Sequence, residues 1–208
     1  MFGDPVTNPK EWEKKTLQKL LDNESVTYHL DGNHGGLYPR SEEFINEGVP
    51  YIGANCISNG NIEYLNAKYL SEERAAGFRK GVAISGDVLF AHNATVGPVA
   101  ILETLLPKVI LSTSLTAYRC DLAFMNPYYL KAYMESAAFV LQYEAEMGQT
   151  TRNQVPITKQ RTFEFLVPPI DLQNRFSEFV RQADKSKFVA RNAAETLNSH
   201  CIIGKYEL

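Results

Sequence analysis

Apolar residues in this chain come in short runs, most of them cut by Gly, Asn or Pro before they reach the length of a helix. That pattern predicts small strands and brief helices in alternation, with turns between them. Residues 16–21 read as a short helical piece after Trp12. Residues 48–52 and 61–65 read as short strands around an Asn59-Gly60 turn. Ser71 is placed to cap a brief helix, with Glu72 and Glu73 in its first turn, where negative charge suits the helix dipole. Residues 87–91, 98–102 and 109–111 are strand-like, followed by 114–119. Asn126 then Pro127 predicts a helix start, and Leu130, Tyr133, Met134, Ala137, Val140 and Leu141 continue it at helical spacing to about Gly148. Residues 163–167 predict one more strand, stopped by Pro168 and Pro169.

The pattern changes at Asp171, the expected N-cap of something longer. From there to about Ser199 neither Gly nor Pro occurs. Leu172, Phe176, Phe179, Ala183, Ala190 and Leu197 form a near-heptad seam that weakens around Ser186. A helix of ~28 residues extends ~42 Å, more than the width of a small domain. Its stripe needs a partner beyond the domain, most simply another long helix; folding back onto the domain is the alternative. No internal repeat or low-complexity tract interrupts the chain.

Composition adds little to this. The 208 residues are 44% hydrophobic and 22% charged, ordinary for a soluble globular protein. No apolar run approaches the ~20 residues of a membrane span, and the first residues lack the basic and apolar parts of a signal peptide. Cys56, Cys120 and Cys201 form no C-x-x-C pair, so a reducing cytoplasmic setting is expected, without a metal site. The net charge of −3 weighs against a stand-alone, non-specific DNA binder, whose affinity rests on phosphate neutralisation. It does not exclude a subunit whose partner supplies positive surface.

Catalytic motifs are missing. There is no G-x-S-x-G elbow and no H-E-x-x-H, and His29, His34, His92 and His200 stand in no recognisable relation to a nucleophile. The glycine-rich residues 32–36 lack the Lys and Ser/Thr of a phosphate loop and read as a backbone turn. Asn126-Pro127-Tyr128-Tyr129 is similar to a broken Asn-Pro-Pro-Tyr motif of DNA amino-methyltransferases. The second proline is absent, however, and a helix start already explains the Asn and Pro. A methyltransferase with a degenerate motif and a coiled-coil adaptor without DNA readout stay open as alternatives.

Several segments, in order along nearly the whole chain, resemble the DNA-specificity (S) subunit family of type I restriction–modification systems. They are Phe2-Gly3-Asp4-Pro5 with Asn8-Pro9-Lys10-Glu11-Trp12; Asp31-Gly32-Asn33-His34; and Glu47-Gly48-Val49-Pro50-Tyr51-Ile52 with Asn55 and Gly60. Further along come Gly86-Asp87-Val88-Leu89 and Ala94-Thr95-Val96-Gly97, where Ala94 replaces the family's usual glycine. Gly148-Gln149-Thr150-Thr151 with Ile157, and Pro168-Pro169-Ile170-Asp171-Leu172-Gln173, complete the set. Each motif is weak alone; six in register are specific.

The resemblance implies an α+β (mixed α/β) target-recognition domain over residues 1–169. A long conserved-region helix with a short tail follows over 170–208, pairing as an antiparallel coiled coil. Full-length family members resemble two such units in tandem, so this chain corresponds to half of one, either as a natural half-length subunit acting as a homodimer or as a fragment. The implied partners are double-stranded DNA, methyltransferase subunits and a motor–nuclease restriction subunit. S-adenosylmethionine is held by the methyltransferase and no cofactor by this chain. The expected dimer seam is Leu172, Phe176, Phe179, Ala183, Ala190 and Leu197.

Three loops are the main candidates for DNA contact. Residues 148–154 offer Gln149, Thr151, Arg152, Asn153 and Gln154, with Arg152 suited to guanine and the amides to adenine; a solvated helix–strand connection is the plainer reading. Arg79 and Lys80 suit phosphate, or a surface turn. His92, Asn93 and Thr95 follow a strand, where turn chemistry is an equal contender. Arg40, Lys68, Lys108 and Arg119 are weaker choices.

Overall fold

The computed structural model describes residues 1–32, 37–148 and 153–203, with side chains as far as Ser186. β1 (Lys14–Thr16) runs into α1 (Leu17–Asp22), whose N-cap is the Thr16 hydroxyl accepting the Lys19 amide. Leu17 and Leu20, three apart on one face, are fully buried. β2 (Val26–Asp31), β3 (Phe44–Ile45) and β4 (Val49–Ile52) follow. Asn59 and Gly60 join β5 (Ile57–Ser58) to β6 (Asn61–Ile62), at φ of 50° and 75°. A two-residue type I′ turn requires that left-handed geometry, and Asn-Gly supplies it cheaply. The strand expected over 61–65 ends early, because Tyr64–Asn66 turn as a 3-10 helix and leave Leu65 exposed.

β7 (Lys68–Leu70) leads to α2 (Glu72–Ala76), capped by Ser71 as its sequence suggests. β8 (Val82–Ala83), β9 (Val88–Asn93), β10 (Thr95–Ile101), β11 (Val109–Leu111) and β12 (Leu115–Cys120) complete two main sheets. One is antiparallel, in the order β10-β9-β12-β2. The other is mixed, in the order β3-β7-β4-β11-β8, with β11 parallel to β4. Period-two alternation explains why they stack. Along β9, Val88 and Phe90 join a core under the helices, whereas Leu89 and Ala91 join the core between the sheets. β11 divides likewise: Val109 and Leu111 face the inter-sheet core, and Ile110 faces a third cluster that includes Ala75 of α2 and Phe78. A strand stretch covered on both faces reads as an unbroken apolar run, as residues 88–91 and 109–111 do.

α3 (Pro127–Met134) and α4 (Ala137–Met147) form the helical layer. The spacing predicts one helix here; the structure has two, broken at Glu135 and Ser136. Ser136 is extended, at ψ 156°, and its hydroxyl donates to the Tyr133 carbonyl at 2.6 Å. In an unbroken helix Phe139 would sit ~140° round the axis from Met134. The break brings both into one core, where Phe139 meets Phe90, Phe163 and Phe165 at 5.4, 5.5 and 5.6 Å between ring centroids.

After α5 (Ile157–Gln160), β13 (Glu164–Leu166) pairs with β1. α6 (Ile170–Ile203) then runs 34 residues, ~51 Å. It begins before Asp171, which therefore lies in the first turn and is not the N-cap; its charge still meets the helix dipole there. The first turns are part of the domain. Gln173 is fully buried, accepts the Asn126 amide at 2.9 Å and donates to the Pro168 carbonyl at 2.8 Å. Phe176 was expected on an outward seam, but it packs inward on the domain core, 5.3 Å from the Phe2 ring. Phe179, three residues on, is offset by only ~60° round the axis, yet it falls off the packed edge of the helix and is 67% exposed. No helix among the described residues is long and apolar enough to cross a membrane.

Candidate nucleic-acid interface

Both sheets end together on one side of the molecule. β2 ends at Asp31 opposite Thr116, β4 ends at Ile52 beside Leu111, and β9 turns into β10 between Asn93 and Thr95. Backbone bonds tie these ends to one another: Ser112 N–H to the Ile52 carbonyl at 2.7 Å, His92 N–H to the Ser114 carbonyl at 3.0 Å, and Leu111 N–H to the Gly81 carbonyl at 2.7 Å. Ser114 Oγ accepts the Ala54 amide at 2.8 Å. Gly32 crosses so close to Ser112 that a Cβ would lie 2.2 Å from its carbonyl carbon, so only glycine fits.

Residues 153–155 join this end as a strap. Gln154 forms an antiparallel bridge with Asn93, and the Asn153 carbonyl accepts the Ala94 amide at 3.0 Å. Asn153 Nδ2 donates to the Ala94 carbonyl at 3.3 Å, and Val155 N–H to the His92 carbonyl at 2.8 Å. Residues 153–154 and 92–95, from two loops singled out separately in the sequence, therefore belong to one surface. Asn153 and Thr95 are exposed there; Asn93 and Gln154 are half-buried. Gln149, Thr151 and Arg152, like Asn33 and His34, lie outside the described residues. Arg79 and Lys80 are exposed and precede Gly81 at the same end. Lys68, also exposed, pairs in register with Tyr51, one step short of the end, with its ammonium 4.6 Å from the Phe44 ring centroid.

Four candidates lie elsewhere or face inward. His92 is 1% exposed and donates from Nδ1 to the Val155 carbonyl at 3.0 Å, so it cannot reach a ligand outside. It is the last inward residue of β9, which runs further than the sequence suggested. Arg119 makes a two-pronged bond to buried Asp87, at 2.7 and 2.8 Å, and stacks over Tyr28. The hydrogen bond to Asp87 raises its pKa further. That pair lies at the far end of β9, so Arg119 is structural. Lys108 precedes β11, at the far end too, and donates to the Ala75 carbonyl at 3.1 Å. Arg40 is exposed but sits on the Leu70 side of the five-stranded sheet, away from Ile52.

Asn126 is consumed structurally. Its Oδ1 caps α3 through the Tyr128 amide, and its Nδ2 donates to Asn174 Oδ1 at 2.8 Å, so it does not present an amide to a flipped base. Reading the sequence missed Ser112 and Ser114, whose hydroxyls share a 2.7 Å bond at the candidate surface. Being polar between two apolar strands was their only signal. Among the described residues, no group of three or more His, Cys, Asp or Glu side chains could hold a metal ion.

A family model described as the type I restriction modification DNA specificity domain matches residues 9–195. The chain belongs to that family. The specificity domain also shares its fold with solved structures. One comes from a study of complex assembly and conformational transition in a type I R-M system, at 20% identity and TM-score 0.61, covering 90% of this chain and 42% of that one. Another is the HsdS subunit from Thermoanaerobacter tengcongensis, at 18% identity and TM-score 0.59, covering 89% and 40%. A third is the type I S subunit from M. genitalium, at 14% identity and TM-score 0.58, covering 85% and 40%. The specificity domain spans about two fifths of the length of these structures. No curated protein matches it significantly.

Proposed function

We propose that this chain reads one half of a split site in double-stranded DNA, as the recognition part of a type I restriction–modification assembly, and makes or breaks no bond itself. The observation that carries this reading is the convergence of polar loops from distant parts of the sequence at one end of both sheets, in a chain of this family. Asn93, Asn153 and Gln154, with Gln149 and Arg152, offer donors and acceptors suited to the major groove, where all four base pairs differ. Arg79, Lys80 and Lys68 fix register on phosphates. Two copies pair antiparallel along α6 through Phe179 and Ala183, with Leu172, Ala190 and Leu197, and so space two domains over the two half-sites. Methyltransferase subunits holding S-adenosylmethionine, and a restriction subunit, dock on this frame in the cytoplasm.

The test is to assemble the chain with a type I methyltransferase subunit and map methylated adenines across a randomised DNA library. Methylation confined to one sequence context is expected. In the Arg152→Ala and Asn153→Ala variants, preference at one base pair should relax by about 1–3 kcal/mol. Methylation without any sequence context in the wild type overturns the reading.

A further inference from the structure

The carbonyl of Val155, at the base of the strap, is held from two sides. His92 donates to it from Nδ1 at 3.0 Å and Gln160 from Nε2 at 3.2 Å. Gln160 is fully buried, and its amide uses its whole bonding capacity. Nε2 also donates to Thr116 Oγ1 at 3.1 Å; Oε1 accepts the Tyr118 hydroxyl at 2.6 Å and His29 Nε2–H at 3.1 Å. An amide with two donors and two acceptor positions filled has one orientation. Buried in low dielectric, such a network fixes geometry more firmly than apolar packing does. Its members come from α5, β12, β2 and β9, so the strap is referenced to three strands of the sheet whose ends form the candidate surface.

We propose that Gln160 and His92 are positioning residues for DNA readout. They set the height and register of Asn153 and Gln154 against the β9–β10 tip, so that side chains on the strap meet base edges in one geometry. This rests on the DNA-reading function proposed above. Paired hydrogen bonds to a base edge are directional, and recognition groups must be held to about 0.5 Å by the residues behind them. Neither Gln160 nor His92 touches DNA, since both are buried.

The experiment uses the full chain assembled with its methyltransferase, reading base preference over a randomised library together with melting temperature. Gln160→Met keeps bulk and removes all four bonds. Gln160→Glu keeps an acceptor for Tyr118 and His29 but loses the donors to Thr116 and Val155. His92→Phe removes the second donor, so the test survives if one variant fails to fold. Asp87→Asn, which weakens the ion pair at the far end of β9, is the control for lost stability alone. Preference at the base pairs under the strap should relax about tenfold in the Gln160 and His92 variants and stay unchanged in Asp87→Asn. Folded Gln160 and His92 variants with wild-type preference overturn the proposal and leave a purely structural network. A wild-type assembly without preference overturns the underlying function instead, and needs no variant to show it.

Discussion

Burial holds His29 neutral: desolvation lowers its pKa to about 4, although the hydrogen bond to Gln160 pulls the other way. The unfolded chain takes up this proton near pH 6.5, the folded chain only near 4. Between those values the unfolded state binds more protons, so stability falls as pH falls, and below about 4 this group removes no more. The full loss is on the order of 3 kcal/mol. Urea unfolding at pH 7.5, 5.5 and 4 measures it, with His29→Phe expected to flatten the curve in that window; an equal slope in both proteins removes His29 from the account. Ala94, between β9 and β10, is held at φ 64°, where the family pattern has glycine. The left-handed region costs a Cβ-bearing residue about 1 kcal/mol relative to glycine. Ala94→Gly should therefore raise stability by roughly that amount, seen as a melting temperature about 2–4 °C higher. An unchanged or lower value shows that the alanine turn is not strained.

At the scale of elements, α6 is divided between a packed start and an exposed continuation. Its first turns belong to the domain through Gln173, Ser177 and Phe176, and Arg181 lies 6.0 Å from the Tyr128 ring centroid. Phe179, between them in sequence, is exposed. Phe176→Ala should cost the domain about 1–3 kcal/mol in denaturant unfolding, with little effect on self-association. Phe179→Glu should leave domain stability nearly unchanged and shift sedimentation from dimer to monomer. A wild type already monomeric at tens of micromolar, or a variant of unchanged mass, argues against the pairing. The near-heptad spacing was legible in the sequence, but the inward packing of Phe176 and the exposure of Phe179 were not. A period of 3.5 says which residues share a face; it does not say whose surface that face meets.

Over the whole molecule, 24 acidic residues outnumber 21 basic ones. DNA affinity grows with phosphates neutralised, so the chain by itself should bind weakly, and on the function proposed above a methyltransferase subunit should tighten binding greatly. Titration of labelled duplex at fixed salt, with and without the partner, checks this. Tight binding by the chain alone, indifferent to sequence, would contradict it.

The sequence by itself determined the element types wherever a local cause was sufficient. Ser71 capped its helix, Asn59-Gly60 made its turn, and the run without Gly or Pro after Pro169 became one long helix. Gly86-Asp87 proved to be a local device too, with Asp87 Oδ2 accepting the Ile84 amide at 2.9 Å. The surface loops were also legible in part, since Asn93 and Thr95 follow the apolar run 88–91, and Asn153 and Gln154 close a polar stretch before Val155. The tertiary structure alone decided that those two loops meet and that His92 faces inward. It also decided that Arg119 belongs to Asp87 and that the helix after Asn126 breaks to bring Phe139 into the core. The reason is range. Caps, turns and periodicity act within a few residues, whereas His92 meets Val155 across 63 positions and His29 meets Gln160 across 131. No local pattern encodes which strand ends lie side by side; stacking two sheets through a shared core does.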